Sequence, residues 1–168
     1  MRNSIATLAA SLAFAAGCAG IPATSVRAAD DHDALSGLKE VKVAFDVKEG
    51  DGKGLLGRLN VIDETRQSLV QQGITPHFVI AFRGPATRLV QTDMEKVKPE
   101  DRPIAAKIAA KLHDMSMAPG MDSVEQCAVA VREQGTSAEK VVPGVKVVGN
   151  AWISLMAYQS KGYAYISP

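Results

Sequence analysis

The sequence predicts a three-layer α/β sandwich built on a mainly parallel five-stranded sheet. Three observations predict it. Short β-branched or apolar runs alternate with helix-spaced segments from Val41 to Ile166. One of those runs, His77 to Phe82, is almost continuously apolar, as a strand covered on both faces should be. The intervening segments supply the crossover helices that parallel neighbours require.

Each element has its own warrant. Val41 to Val47 is β-branched and bounded by charge, so it reads as the first strand. Lys48 to Gly54 is a glycine-rich turn. From Leu55 the spacing becomes helical: Leu55, Leu59, Ile62 and Leu69 share a face, with Arg58, Asp63, Glu64 and Gln67 directed away from it. Gly73 supplies the left-handed stop. Gly84-Pro85 ends the second strand, and Ala86 to Gln91 makes one or two helical turns. Asp93 to Arg102 is charged without period and reads as a surface excursion. Pro103 suits a first helical turn, and Ile104, Ile108 and Leu112 mark the helix face that follows. Ala118-Pro119-Gly120 breaks this helix. Ser123 to Cys127 ends the third strand, Ala128 to Gln134 is a short helix, and Gly135 stops it. Val145 to Val148 is the fourth strand, Trp152 to Lys161 the last helix, and Tyr163 to Ile166 the fifth strand. The alternation is flavodoxin-like in general build, with ligands expected beyond the carboxyl ends of the strands.

The first residues fit a secretory leader spanning 1–28. Arg2 gives a positive start, Ile5 to Ala16 an apolar stretch too short to cross a membrane, and Val26-Arg27-Ala28 small residues for cleavage. A competing reading ends the leader at Ala15-Ala16-Gly17-Cys18 and lipidates Cys18. Either predicts export, to the periplasm, of one domain over 29–168. The chain holds 19 Lys and Arg against 18 Asp and Glu, and Arg2 and Arg27 fall in the leader. That balance argues against a nucleic-acid partner, which needs a basic face.

With the leader removed, Cys127 is the remaining cysteine, so no internal disulfide can form. The thiol is reactive, paired between chains, or buried. Its place between a strand and a helix favours the first: a helix N-terminus presents unpaired N–H groups and a positive dipole end, which promote thiolate. Burial as a small hydrophobe is the commoner fate of free cysteines. Arg132 is the nearest basic residue in sequence, so any charge partner must come from elsewhere in the fold.

Three segments carry a family likeness: Val124-Glu125-Gln126-Cys127; Val142-Pro143-Gly144-Val145-Lys146-Val147-Val148; and Tyr158-Gln159-Ser160-Lys161-Gly162-Tyr163-Ala164-Tyr165-Ile166. Together they resemble the DsrE/DsrF-like sulfur-relay family, in particular its exported members. Leu59-Asn60-Val61 and Phe82-Arg83-Gly84-Pro85 agree less sharply. The resemblance implies a flavodoxin-like, usually oligomeric domain in which Cys127 carries a persulfide between sulfur donors and acceptors, as a sulfurtransferase or carrier without cofactor. Some relatives place a histidine where this chain has Arg83, so no acid/base role passes to that position. The alternative is a non-catalytic oligomeric binding module of the same fold, for a small ligand or Cu(I), with a structural cysteine.

Other signals are weaker. His113, Met115, Met117 and Met121 offer soft ligands that suit Cu(I), although methionine is equally a core filler. Gly50 to Gly54 shares only glycine content with a phosphate loop. His77 opens an apolar strand and reads as a satisfied edge histidine, and His32 as a copper clip only if cleavage follows Ala29. Trp152, Tyr158, Tyr163 and Tyr165 pack the core or a subunit interface.

Overall fold

The structure is a computed structural model that describes residues 31–168. The leader, its cleavage site and Cys18 lie outside the described residues. His32–Leu35 forms a four-residue helix, α1. The sheet domain comprises residues 36–168.

Five strands build the sheet: β1 (Glu40–Val47), β2 (Thr75–Phe82), β3 (Met121–Cys127), β4 (Lys146–Val148) and β5 (Ala164–Ile166). All neighbours are parallel, in the order β4-β3-β2-β1-β5. The three-layer α/β class follows the sequence. The strand order is its own, because the doubly wound flavodoxin order sets β2 and β3, not β5, beside β1.

Register decides which side chains share a face. Ala44 pairs with Val79, Asp46 with Ala81, and Ala81 with Glu125. Alternation then places Ala44, Asp46, Val79, Ala81, Glu125 and Cys127 on one face and Val43, Phe45, Val47, Phe78, Ile80 and Phe82 on the other. The second set is the larger and takes α2 (Gly52–Gln71) and α3 (Arg102–Ser116), whose buried Leu55, Leu59, Ile62, Ile108, Leu112 and Met115 complete that layer. Phe45 and Phe78 meet edge to face at 5.1 Å within it. The first set is mostly small, and α5 (Ala151–Ser160) lies on it through Ala151 and Leu155, joined by Ala130 of α4 (Ala128–Glu133).

Two charged residues depart from the sequence reading. Asp63 does not face water: it is buried between α2 and α3, accepting from Arg66 at 2.8 and 3.0 Å, Lys111 at 2.6 Å and Gln67 at 3.0 Å. Burial would raise its pKa, but the Lys111 and Arg66 contacts outweigh that and hold it below the usual carboxylate range. The charged run Asp93 to Arg102 is not merely an excursion, because Val97 and Asp101 are buried within it. Asp101 Oδ1 accepts the Gly52 N–H at 2.9 Å and fastens this segment to the start of α2. That start falls three residues earlier than the apolar spacing predicts. Asp51 caps the helix through Gly54 N–H at 2.7 Å, so Gly52 and Gly54 belong to the first turn rather than to a loop.

Candidate functional site

Toward the carboxyl ends of β1, β2 and β3, register and alternation place Asp46, Arg83, Glu125 and Cys127 on the face that α5 covers. β3 delivers Cys127 as its last residue, and the chain turns there into α4 with Cys127 as N-cap. The sequence reading assigned the thiol to the N-terminus of that helix. Cys127 does stand at that N-terminus, but its Sγ makes no capping bond to α4 and instead accepts the backbone N–H of Ala151, the first residue of α5, at 3.3 Å. The N-cap of α5 is Asn150, whose side chain accepts the Trp152 N–H at 2.9 Å. Thiol and Asn150 between them satisfy the first two amides of α5.

The sulfur is not open to solvent. Cys127 is 4 % exposed and packs with Ala44, Val79, Ala81, Ala130, Ala151 and Leu155. Its surroundings are apolar on the sheet side, with alanines that leave the smallest wall side chains can make.

Glu125, two residues before Cys127 and on the same face, is 3 % exposed. It is held by hydroxyls: Ser123 at 3.0 Å, Tyr158 at 3.2 Å, and Ser154 in a short contact. Among the described residues no cation pairs with it. Burial and the neighbouring Glu125 charge push the Tyr158 phenol up, which keeps it a donor at neutral pH. Sequence reasoning missed Glu125, since only the strand register and the seating of α5 show that it faces inward.

The second missed feature is a network around Asp46. This carboxylate is 1 % exposed and takes both oxygens' bonds from Arg83, at 2.7 Å from Nε and 2.7 Å from Nη2. The Tyr165 hydroxyl on β5 adds a third bond at 2.6 Å. Burial would raise the Asp46 pKa, but the bonds from Arg83 and Tyr165 and the charges of Arg83 and Lys48 outweigh it, and the net shift is downward. The same pairing raises Arg83 further above its ordinary value, against the cost of burial. The Arg83 guanidinium also lies 5.6 Å from the Trp152 ring centre. α5 thereby ties both halves of the site: Ala151 binds the sulfur and Trp152 covers the arginine.

The remaining candidates differ in exposure and surroundings. Met115 is buried in the core, Met117 is exposed at the end of α3, and Met121 is buried at the start of β3, so the thioethers do not share one environment. His77 lies at the opposite, amino end of the strands, its Nδ1 3.2 Å from Asp122. Asp122 also takes a short bond from Tyr163, and burial followed by that bond raises the Tyr163 phenol. A cleft of about 290 Å³ borders the start of α2, lined in part by Glu49, Asp51, Arg88, Lys96, Lys98 and Asp101. There the amides of Gly52 and Gly54 are already taken by carboxylates, which removes the donors a phosphate loop would offer.

Comparisons with known proteins bear on the fold. No family model matches the chain. An uncharacterized protein of Aquifex aeolicus (strain VF5) is 29% identical over 126 residues, covering 75% of this chain and 55% of that protein. The chain thus spans about half the length of this curated relative. A solved structure of a protein of unknown function from Methanobacterium thermoautotrophicum matches with a TM-score of 0.54 and 17% identity, over 76% of this chain and 99% of that one. At that identity the likeness is one of fold.

Proposed function

We propose that this is an exported, periplasmic sulfur-handling protein of the DsrE type, which accepts sulfane sulfur on Cys127 and passes it on. The observation that carries the reading is the Ala151 N–H held 3.3 Å from Sγ at the carboxyl end of β3. A backbone donor at the positive end of a ten-residue helix is aimed at the atom that must carry charge. The likeness of the segments around Cys127, Pro143-Gly144 and Gly162-Tyr163 to DsrE/DsrF-like proteins supports the same role.

The step balances without an oxidant. Cys127 thiolate attacks the outer sulfur of a donor, an S–S bond forms at Sγ, and the bond from that sulfur to the leaving group breaks with its electron pair going to the leaving group. An acceptor thiolate then attacks the terminal sulfur and Cys127 departs as thiolate. Because Sγ is buried, each attack requires local opening at the start of α5. Incubation with polysulfide followed by intact-mass measurement tests the proposal. Wild type gains one sulfur and Cys127→Ser gains none; failure of wild type to load under conditions that load a known carrier would falsify it.

The burial itself favours a second reading, a non-catalytic oligomeric binding module in which Cys127 only packs and caps α5. Native-state alkylation separates the two. Modification far faster than global unfolding supports sulfur transfer, and protection until the chain unfolds supports the structural thiol. In both readings α5 is an interface helix: Trp152, Ile153 and Met156 are 58–62 % exposed while Ala151 and Leu155 are buried beneath them, and a helix apolar all round belongs inside an assembly.

A further inference from the structure

We propose that the cavity beside Gln91 binds a small carboxylate that also carries a carboxamide, with Gln91 pairing its amide and Lys96 its charge. The site shares no residue with the surroundings of Cys127, so it stands or falls apart from the sulfur-handling reading.

Two segments of the chain shape the cavity. Beyond β2, residues 90–92 run beside residues 140–142, where Gln91 and Val141 form an antiparallel bridge. Thr92 N–H donates to Lys140 O at 2.6 Å and Val142 N–H to Val90 O at 3.3 Å. Asp93 then opens a short 3-10 turn, Met94–Lys96, by accepting the Glu95 N–H at 2.9 Å. From the other side comes the end of α4, where Gly135 takes φ 64° and Thr136 N–H folds back to Val131 O at 3.0 Å. Between them lies a cavity of about 140 Å³, lined by Gln91, Asp93, Lys96, Gly135, Thr136 and Ser137.

Most of its polar groups are already engaged by the chain. The Gly135 amide bonds to Arg132 O, the Thr136 hydroxyl donates to Val131 O at 3.3 Å, and Ser137 Oγ accepts the Glu139 N–H at 3.3 Å. Gln91 is the exception. It is 1 % exposed, and neither its Nε2 nor its Oε1 has a hydrogen-bond partner among the described residues. Buried amides are almost always paired, because hydration lost without replacement opposes folding. An unpaired amide on a residue that lines a cavity therefore marks a place for a partner from outside the chain. Lys96 is exposed, and its ammonium meets no acceptor among the described residues.

These groups define the ligand. Gln91 offers a donor and an acceptor side by side, and a carboxamide presents the same pair reversed: its carbonyl accepts from Nε2 and its NH2 donates to Oε1. Both Gln91 atoms are closed to solvent, so the side chain turns about its own torsions to meet the ligand. Lys96 receives the carboxylate. Asp93 holds the Glu95 amide with one oxygen, and its charge disfavours a second carboxylate on the ligand. Asp93 and Lys96 carry opposite charges, so the lining has no net charge to draw anions at large, and selection lies in the amide. An apolar cavity of roughly 150 Å³ holds one benzene, so a ligand of about that size, such as oxamate, suits this one.

Nuclear magnetic resonance on the full chain tests the site, following the Gln91 side-chain NH2 and the backbone amides of Thr136 and Ser137. Oxamate is titrated against oxalate, which lacks the amide, and acetamide, which lacks the carboxylate, at matched ionic strength. A saturable oxamate response is expected, with affinity at least about tenfold weaker for either comparator, the loss of one polar contact. Gln91→Met exchanges an unpaired amide for a thioether of similar length, and saturable binding should disappear. Lys96→Met should weaken oxamate at least about fivefold and leave acetamide unchanged. Lys96 is exposed, so its variant keeps the test decisive if Gln91→Met does not fold. No saturable response, equal affinity for oxalate or acetamide, or unchanged oxamate affinity in either variant overturns the site. So does a Gln91 NH2 that exchanges with water and ignores oxamate, which would show a hydrated cavity and nothing more.

Discussion

Cys127 completes a helix that begins 24 residues further along the chain: its Sγ accepts the N–H of Ala151 at 3.3 Å, inside a wall of alanines. The thiol has a structural duty whether or not it has a chemical one. Cys127→Ser keeps an acceptor for that amide, while Cys127→Ala leaves a buried donor without one, a loss of about 1–3 kcal/mol. Urea unfolding is expected to rank the variants wild type, Ser, Ala in falling midpoint. An Ala variant as stable as the Ser variant would show that water reaches Ala151 in place of sulfur.

Removing Arg83 alone should reverse the acid behaviour of Asp46. In the wild type the carboxyl is depressed on folding, so its contribution is present above the unfolded value of about 3.9 and is lost as pH falls through the lower folded value. In Arg83→Gln burial acts with less opposition, the folded pKa rises, and the variant gains relative stability as pH falls. At pH 7 the deficit is about 3–5 kcal/mol, the cost of stranding one partner of a buried pair. Melting temperatures of both proteins from pH 7 to pH 3 check this, with the gap expected to narrow on acidification.

Gly52 is required by its neighbours. A Cβ there would come within 2.5 Å of Asp101 Oδ1 and 2.5 Å of Ile104 Cγ2. Gly52→Ala is therefore expected to push Asp101 off the Gly52 amide and to cost about 1–3 kcal/mol, despite alanine's better helix propensity. If Gly52→Ala is neutral or stabilising by thermal melt, the Asp101 anchor contributes nothing.

The outer face of α5 should govern association. Ile153→Glu with Met156→Glu alters two exposed side chains and no buried one, so the monomer fold should persist. Light scattering is expected to give an oligomer for wild type and a monomer for the double variant. A wild-type monomer at tens of micromolar would remove the interface.

The layers, the strands and most helix faces were legible in the sequence because apolar periodicity records which side of an element is covered. Leu55, Leu59 and Ile62, or Ile108 and Leu112, carry that record plainly. Charge does not. Asp63 and Asp101 read as solvent-facing from their residue type, and their burial depends on Arg66, one turn along the same helix, and on Lys111 and the Gly52 amide, which packing between elements brings to them. At the site, Cys127 was visible as a lone thiol at a strand end. Its donor was not, since the amide comes from α5 rather than from the helix that follows it. Glu125 and Asp46 were hidden in the same way, as acidic residues in strands whose inward direction only the register settles. The order β4-β3-β2-β1-β5 was equally beyond local pattern, because alternation fixes a crossover but not the edge on which the last strand lands.

That landing has a consequence for biosynthesis. β5 docks along Val43, Ala44 and Phe45 and sends Tyr165 to Asp46, a partner 119 positions upstream. Until the ribosome has delivered this last strand, β1 offers a bare hydrogen-bonding margin and the polar group at its tip lacks one donor. A nascent domain stalled before residue 164 would be sticky at that margin.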